Sequence, residues 1–155
     1  MVIQRWQSLL LLLAAALMCC FTFCSLGQIQ TPDFTFNFTS LGFYQEGVPT
    51  DGVPDSVSHT WFFFAISLTT TILLLIDIFL FKNLPLQKKV CLLCVLLIIA
   101  SVIVGACLGY GFAGDNYIGW SAVVFCPMIA LVAAIMAWYC MQRDHNKLRA
   151  ADRIR

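Results

Sequence analysis

Two cysteines, Cys91 and Cys94, stand three residues apart in LPLQKKVCLLCVLL, directly after two lysines and at the start of a long apolar run. On a helix this spacing places both thiols on one face. Such a pair can carry thiol–disulfide chemistry, or it can supply two of the four ligands of a zinc site that Cys140 and His145 would complete. The choice depends on which side of a membrane the pair occupies.

The sequence favours a third interpretation, in which both cysteines only pack. Lys88 and Lys89 hold the pair at the cytoplasmic end of its apolar run, where thiols stay reduced. A single C-x-x-C without a second closely spaced pair is a weak zinc signal. Cysteine is also tolerated in apolar helices as a small hydrophobic residue. We therefore predict no catalytic residue, no cofactor and no bound metal.

Asp77, in TILLLIDIFLFK, is the one charged residue inside an apolar run. A carboxylate within a membrane is a candidate functional group, for example in a proton relay. It precedes Lys82 by a distance of roughly 7–8 Å along a helix, which puts it near the membrane interface. A lone acid makes a poor relay, so we predict an interfacial ion pair with Arg5 or Lys82.

These residues lie on apolar runs that dominate the chain. The composition is 61% hydrophobic and 11% charged, against about 25% charged in soluble domains. Each run reaches the roughly 20 residues that a transmembrane helix needs. The first resembles the core of a signal peptide but continues through Met18–Phe23 without a good small-x-small cleavage site, so we expect it to be retained. The predicted spans of this single membrane domain, 1–155, are 6–26, 61–81, 90–112 and 118–141.

Charge sets the predicted orientation. All nine lysines and arginines fall on one side of a four-span arrangement, and the other side is acidic. The positive-inside rule then places both termini in the cytoplasm. The loop 27–60 becomes extracytoplasmic, and 142–155 becomes a basic cytoplasmic tail suited to a helix that continues the fourth span or lies on the inner leaflet.

The outer loop contains TPDFTFNFTSLGFY, in which Phe34, Phe36 and Phe38 alternate with polar residues. This period of two is typical of a strand with one apolar face. The predicted fold is therefore an all-α membrane protein, an up-down bundle of four transmembrane helices. A small extracytoplasmic β-hairpin-like cap lies between the first two helices.

Helix packing is also predicted from small residues. Ser101, Gly105 and Gly109 recur every four residues in the third span, and alanines do so in the fourth. Such faces allow helices to approach closely, within the chain or in a homo-oligomer. Pro127 lies inside the predicted fourth span and is expected to kink it.

Three blocks of sequence, IQRWQSLLLLLAA, FLFKNLPLQKKVC and NKLRAADRIR, resemble a family of four-helix inner-membrane proteins of Bacteroidota with unknown function. The resemblance covers the whole chain and implies the fold and the bacterial inner membrane, but it brings no established activity. The matching residues are Gln4, Arg5, Gln7, Lys82, Asn83, Leu148, Arg149, Ala151, Asp152, Arg153 and Arg155.

All three blocks fall on the predicted cytoplasmic face, so we expect them to form one composite docking surface. The predicted function is that of a non-enzymatic accessory or scaffold subunit, with the bilayer and another membrane protein or complex as partners and no nucleic acid. The alternatives are a membrane thiol–disulfide oxidoreductase and a small transporter. The docking candidates are Arg5, Asn83, Arg149, Asp152 and Arg153.

Overall fold

The computed structural model describes residues 2–31, 34–46, 56–80 and 83–152. Helix α1 packs against both α2 and α4, and α3 packs against the same two helices. The four helices therefore surround one core in up-down order, as the sequence predicted. Their bounds are Val2–Phe23 (α1), Trp61–Phe79 (α2), Leu84–Ala113 (α3) and Cys126–Asp152 (α4).

The bundle has two chemically different ends. At the terminal end, α1 begins, α4 finishes and a short connection through Asn83 joins α2 to α3. At the sheet end, α1 leads into a β-sheet that also contains the connection from α3 to α4.

The outer surface of the bundle is apolar. Leu96, Ile103 and Val132 are among many large hydrophobic side chains that point away from the core and are exposed. A contiguous surface of this kind fits lipid better than water. Within the described residues, four helices are long and apolar enough to cross a bilayer, which indicates a multi-pass membrane protein. They run over Trp6–Phe23, Trp61–Phe79, Pro85–Ala113 and Ala122–Asp144.

Small residues bring α1 and α4 together in the most extensive helix contact of the fold. Ala14 and Ala15 of α1 are buried, as are Ala130, Ala134 and Ala137 of α4. Side chains of this size let two backbones approach closely. Ser101, Gly105 and Gly109 are likewise buried, so the small-residue faces are used within the chain.

The structure corrects the prediction of a hairpin-like cap, because the sheet is larger than a hairpin. Five antiparallel strands lie in the spatial order β4-β3-β2-β1-β5. The predicted hairpin is present as β2 and β3, with Phe38 opposite Phe43. The fifth strand comes from the other outer connection and pairs with β1. The strands are Gly27–Gln30 (β1), Thr35–Thr39 (β2), Gly42–Glu46 (β3), Ser56–His59 (β4) and Tyr117–Trp120 (β5).

The fourth helix consequently begins later than the predicted span 118–141. After β5, Ala122–Phe125 forms one 3₁₀ turn, and α4 starts at Cys126. Pro127 lies in the first turn of α4, where backbone N–H groups have no partner within the helix and proline loses nothing. The predicted kink is therefore absent, because Pro127 helps to begin the helix.

At the terminal end two helices are longer than predicted. The third begins at Leu84 instead of 90, so the segment taken for a cytoplasmic turn supplies its first turns, with Pro85 near the start. The fourth continues to Asp152, far into the predicted tail 142–155. Of the two arrangements considered for the tail, the structure selects a continuation of α4.

Aromatic stacking seats the sheet on the bundle. Phe112 of α3 stacks on Phe43 with ring centroids 4.0 Å apart, and Phe43 stacks on Phe38 at 4.6 Å. Hydroxyl groups add to this, since Ser40 donates to the Thr22 carbonyl and Thr60 donates to the Ser40 carbonyl. The sheet is therefore packed firmly against the ends of the helices.

The pairing of β1 with β5 leaves no room for a side chain at Gly27. A Cβ there would stand 2.9 Å from the backbone oxygen of Gly119. We predict that Gly27→Ala lowers the free energy of unfolding by roughly 1–3 kcal/mol, as overpacking does. Thermal unfolding in mild detergent measures this. Gly111→Ala is the matched control, because a Cβ at Gly111 meets nothing within 4 Å. Equal stability of the two variants would contradict the prediction.

Candidate functional site at the terminal end

Asp77 lies inside the bundle. Its side chain is 0% exposed, and no described residue donates a hydrogen bond to either carboxylate oxygen. The predicted ion pair with Arg5 or Lys82 falls on side chains outside the described residues. The structure shows that the Asp77 carboxylate is enclosed by the helices. Burying such a group without a partner is costly, which makes Asp77 the most unusual side chain of the core.

Gln87 is the neighbour of Asp77 that the sequence analysis missed. Its Nε2 donates a hydrogen bond of 3.2 Å to the backbone oxygen of Asp77, and the side chain is buried. This contact joins the first turns of α3 to the last turn of α2, where the Asp77 oxygen also accepts from the Leu80 N–H. Gln87 lies four residues before Cys91, which lies three before Cys94, so all three share one helical face. This periodicity was the only feature of the sequence that could have indicated the burial of Gln87.

Cys91 and Cys94 are both fully buried. The Cys91 thiol donates to the backbone oxygen of Ala134 across 3.5 Å, which places this part of α3 directly against α4. Gln87, whose side chain contacts the Asp77 backbone, precedes Cys91 by about one helical turn. The carboxylate and the cysteine pair therefore occupy one region of the core, where water has no access to the sulfur atoms.

The alternative zinc site is not assembled in the described part of the chain. No group of three or more His, Cys, Asp or Glu side chains there is placed to hold a metal ion. Cys140 is half-buried on α4, and the side chain of His145 lies outside the described residues. The eight cysteines are free thiols.

Further polar atoms without hydrogen-bond partners in the described structure lie between the cysteine pair and the terminal end of the bundle. In the described structure, Gln87 Oε1, Gln142 Oε1 and Trp138 Nε1 are buried without hydrogen-bond partners. Lys88 stands over the Trp138 ring at 5.7 Å, a distance that suits a cation–π contact. At the helical rise of about 1.5 Å per residue, Trp138 lies about 6 Å and Gln142 about 12 Å along α4 beyond the Cys91 contact at Ala134.

The outermost contact of this end joins the beginning of the chain to its final helix. Gln7 of α1 is buried, and its Nε2 donates a hydrogen bond to the Asp144 carboxylate of α4. An acceptor of this charge strengthens the bond relative to a neutral one. The extension of α4 beyond the apolar span is therefore fixed to the start of α1.

The topology brings the docking candidates to this same end. Arg5 is in the first turns of α1, Asn83 is exposed between α2 and α3, and Arg149 and Asp152 are in the last turns of α4. The side chains of Arg5, Arg149 and Asp152 lie outside the described residues, as does Arg153 entirely. Their backbone positions place three separate blocks of sequence at one end of the bundle.

Hydroxyl groups in the middle of the bundle form local hydrogen bonds. Ser67, Thr70 and Thr71 each donate to a carbonyl four residues earlier in α2. Ser101 donates in the same way to Ile98 of its own helix. Since these groups bond back to their helices, they do not form a polar path between the two ends.

The fold is thus that of a helical membrane protein with a buried polar layer at one end and a sheet at the other. The chain belongs to the family described as a domain of unknown function (DUF4293), whose model matches residues 3–154. No curated protein matches it. Family membership confirms the expected resemblance to a family without known function.

We predict opposite changes in the free energy of unfolding for substitutions at two aspartates of the terminal end. Asp77→Asn removes a buried charge that has no described partner, so we expect the free energy of unfolding to rise by about 1–3 kcal/mol. Asp144→Asn weakens the acceptor used by Gln7, so we expect a fall of about 1 kcal/mol. Both are measured by thermal unfolding in the same detergent. Destabilisation by Asp77→Asn would mean that its carboxylate has a partner in the folded protein.

Proposed function

We propose that this protein is a non-enzymatic, polytopic protein of the bacterial inner membrane that serves as an accessory or scaffold subunit of a larger membrane complex. The observation that carries the proposal is the continuity of α4. The apolar span ends at Asp144, whereas the helix runs on to Asp152. A charged helical segment therefore projects from the membrane as a rigid extension of the bundle.

A rigid extension is a favourable docking element, because little conformational entropy is lost when a partner binds it. The hydrogen bond from Gln7 to Asp144 holds its base against α1. The contact of Lys88 with Trp138 holds the preceding turns against α3. Arg149 and Asp152 thus lie on a helix that α1 and α3 both support.

The distribution of charge supports the cytoplasmic placement of this surface. The basic residues of the described segments, such as Lys88 and Arg143, belong to the terminal end, and exposed Asp115 lies at the sheet end. Positive residues near a bilayer are retained on the cytoplasmic side during insertion. Near anionic lipid each contributes about 1 kcal/mol to holding the segment at that surface.

Neither alternative function has comparable support. Thiol–disulfide exchange requires a thiolate that a partner can reach, and Cys91 and Cys94 are enclosed between helices. A transporter requires polar groups that line a route, and the hydroxyls of Thr70, Thr71 and Ser101 are bonded within their own helices.

The orientation is tested by reporter fusions. We expect a green fluorescent protein fused to the C-terminus to fluoresce and an alkaline phosphatase fused there to be inactive, because the basic end stays in the cytoplasm. Alkaline phosphatase inserted after Asp115 serves as the control and is expected to be active. The reverse pattern would place the docking surface outside the cell.

The accessory role is tested by affinity purification in mild detergent at native expression level. We expect a stoichiometric membrane partner, which the combined variant Arg149→Ala, Asp152→Ala and Arg153→Ala releases. Loss of contacts worth at least about 2 kcal/mol weakens binding by roughly 30-fold.

Two variants control for general effects of charge in the same purification. Arg143→Ala removes an exposed charge from the same helix, and Asp115→Ala removes one from the opposite end. Both are expected to retain the partner. Recovery of the chain alone would contradict the accessory role, whereas a partner that remains on the triple variant would contradict the docking surface.

A further inference from the structure

A cavity of about 300 Å³ lies at the sheet end, away from the groups discussed above. Its walls come from α1 and α3, the inner face of the sheet, the 3₁₀ turn and the first turn of α4. Ligand pockets begin at about this volume, and gaps left by ordinary packing are much smaller. We refer to this cavity as the sheet-end pocket.

The pocket lies beside the connection between α3 and α4. Nearer the terminal end they touch, as the contact between Cys91 and Ala134 shows. At the sheet end the chain before α4 is occupied by β5 and the 3₁₀ turn, and the turn packs mainly on α1 and α4. A space therefore remains between the turn and α3.

Two glycines of α3 shape the wall of this space. A Cβ on Gly109 would stand 2.7 Å from the Trp120 ring, and one on Gly105 would stand 3.0 Å from the Phe63 ring. The absence of side chains lets both aromatic rings lie directly on the helix. The Trp120 ring and Gly105 then form part of the pocket wall, and Ala106 leaves its interior open.

The rim of the pocket is aromatic and exposed. Tyr110 is 63% exposed and Phe125 is 67% exposed, and Trp120 meets Tyr110 edge to face at 5.7 Å. Tyr110 and Phe125 belong to stretches long and apolar enough to cross a bilayer. Tyrosine and tryptophan favour the level of the lipid headgroups. The opening thus faces the place where lipid would surround the bundle.

The lining distinguishes between kinds of ligand. Tyr110 and Trp120 carry the only polar side-chain atoms among the lining residues, and both belong to the rim. The interior consists of hydrocarbon side chains such as Phe21, Val102 and Val124. A flexible apolar chain fits such an interior. The carbonyl groups of a quinone ring would find no hydrogen-bond donor there.

We propose that the sheet-end pocket binds an acyl chain of a bilayer phospholipid, which enters sideways between Tyr110 and Phe125 and leaves its headgroup beside the aromatic rim. The inference rests on the membrane placement proposed above and is independent of the accessory role. A bound chain fills the space between α3 and the 3₁₀ turn and supports the sheet from below.

The test uses the full-length protein in vesicles that contain a phospholipid with a photoactivatable diazirine near the end of one acyl chain. After illumination, mass spectrometry locates the attached lipid. We expect labelling concentrated on the peptides that contain Val102, Ala106 and Val124, well above the labelling around Val132, which is exposed on the outer surface of the bundle.

Ala106→Trp fills the pocket and is expected to reduce labelling there to the level around Val132. Ala65→Trp is the matched control, since Ala65 is exposed on α2 at the same end of the bundle and does not line the pocket. It is expected to leave the labelling unchanged. Val124→Phe fills the pocket from the opposite wall and repeats the test if Ala106→Trp does not fold.

The outcomes separate the two proposals. Even labelling of the pocket and the outer surface, or pocket labelling that survives Ala106→Trp and Val124→Phe, would overturn the lipid site while membrane placement stands. Extraction of a quinone instead of a phospholipid from the purified protein, lost in Ala106→Trp, would overturn the choice of ligand. No labelling anywhere, including Val132, would overturn membrane placement and the lipid site together.

Discussion

The close packing of α1 on α4 is the contact on which the rest of the fold depends. It joins the first and last helices of the chain through alanines, including Ala14, Ala15 and Ala134. The contact between these two antiparallel helices is continued by other interactions at both ends of the bundle. At one end Gln7 reaches Asp144. At the other, α1 leads into β1 while β5 leads into α4, so pairing of β1 with β5 extends the helix contact into the sheet.

This continuity explains the strand order. The first four strands follow one another between α1 and α2, and β5 joins them at the edge next to β1. The N–H of Ser121 also donates to the carbonyl of Leu26, just outside the paired segments. The position of β5 is thus decided by the helices, and its short sequence has only to be compatible with pairing. Gly27 meets that condition, because a Cβ there would stand only 2.9 Å from the Gly119 backbone oxygen.

Features of the fold that depend on local sequence can be predicted, whereas those that depend on contacts between distant segments cannot. The four helices follow from long apolar runs, and the hairpin follows from the alternation around Phe36 and Phe38, since both signals are local. The strand YIGW is apolar and merges with the run that becomes α4, and it pairs with residues far away in the chain. Gln87 looked like part of a charged turn. Its burial depends on the end of α2, which no local pattern of α3 records.

The two ends of the bundle differ in what they contribute to stability. At the sheet end, stacked rings such as Phe43 on Phe112 and the hydrogen bonds of Ser40 leave few polar groups unpaired. At the terminal end, buried Asp77 and Gln87 have oxygen atoms without described partners. Proteins accept such a cost where other parts of the fold offset it. We therefore expect local opening to begin at the terminal end, where the groups argued to dock a partner also lie.

The order in which the elements meet follows from the same contact. The α1–α4 interface and the β1–β5 pair join residues separated by most of the chain, and such contacts carry a high cost in loop entropy. Until α4 is present, the alanine face of α1 and the edge of β1 have no partner. Strand β5 lies directly before α4, so both surfaces are covered in one step when this last segment docks. The sheet and the terminal end of the bundle are therefore completed by the same event, although they lie at opposite ends of the fold.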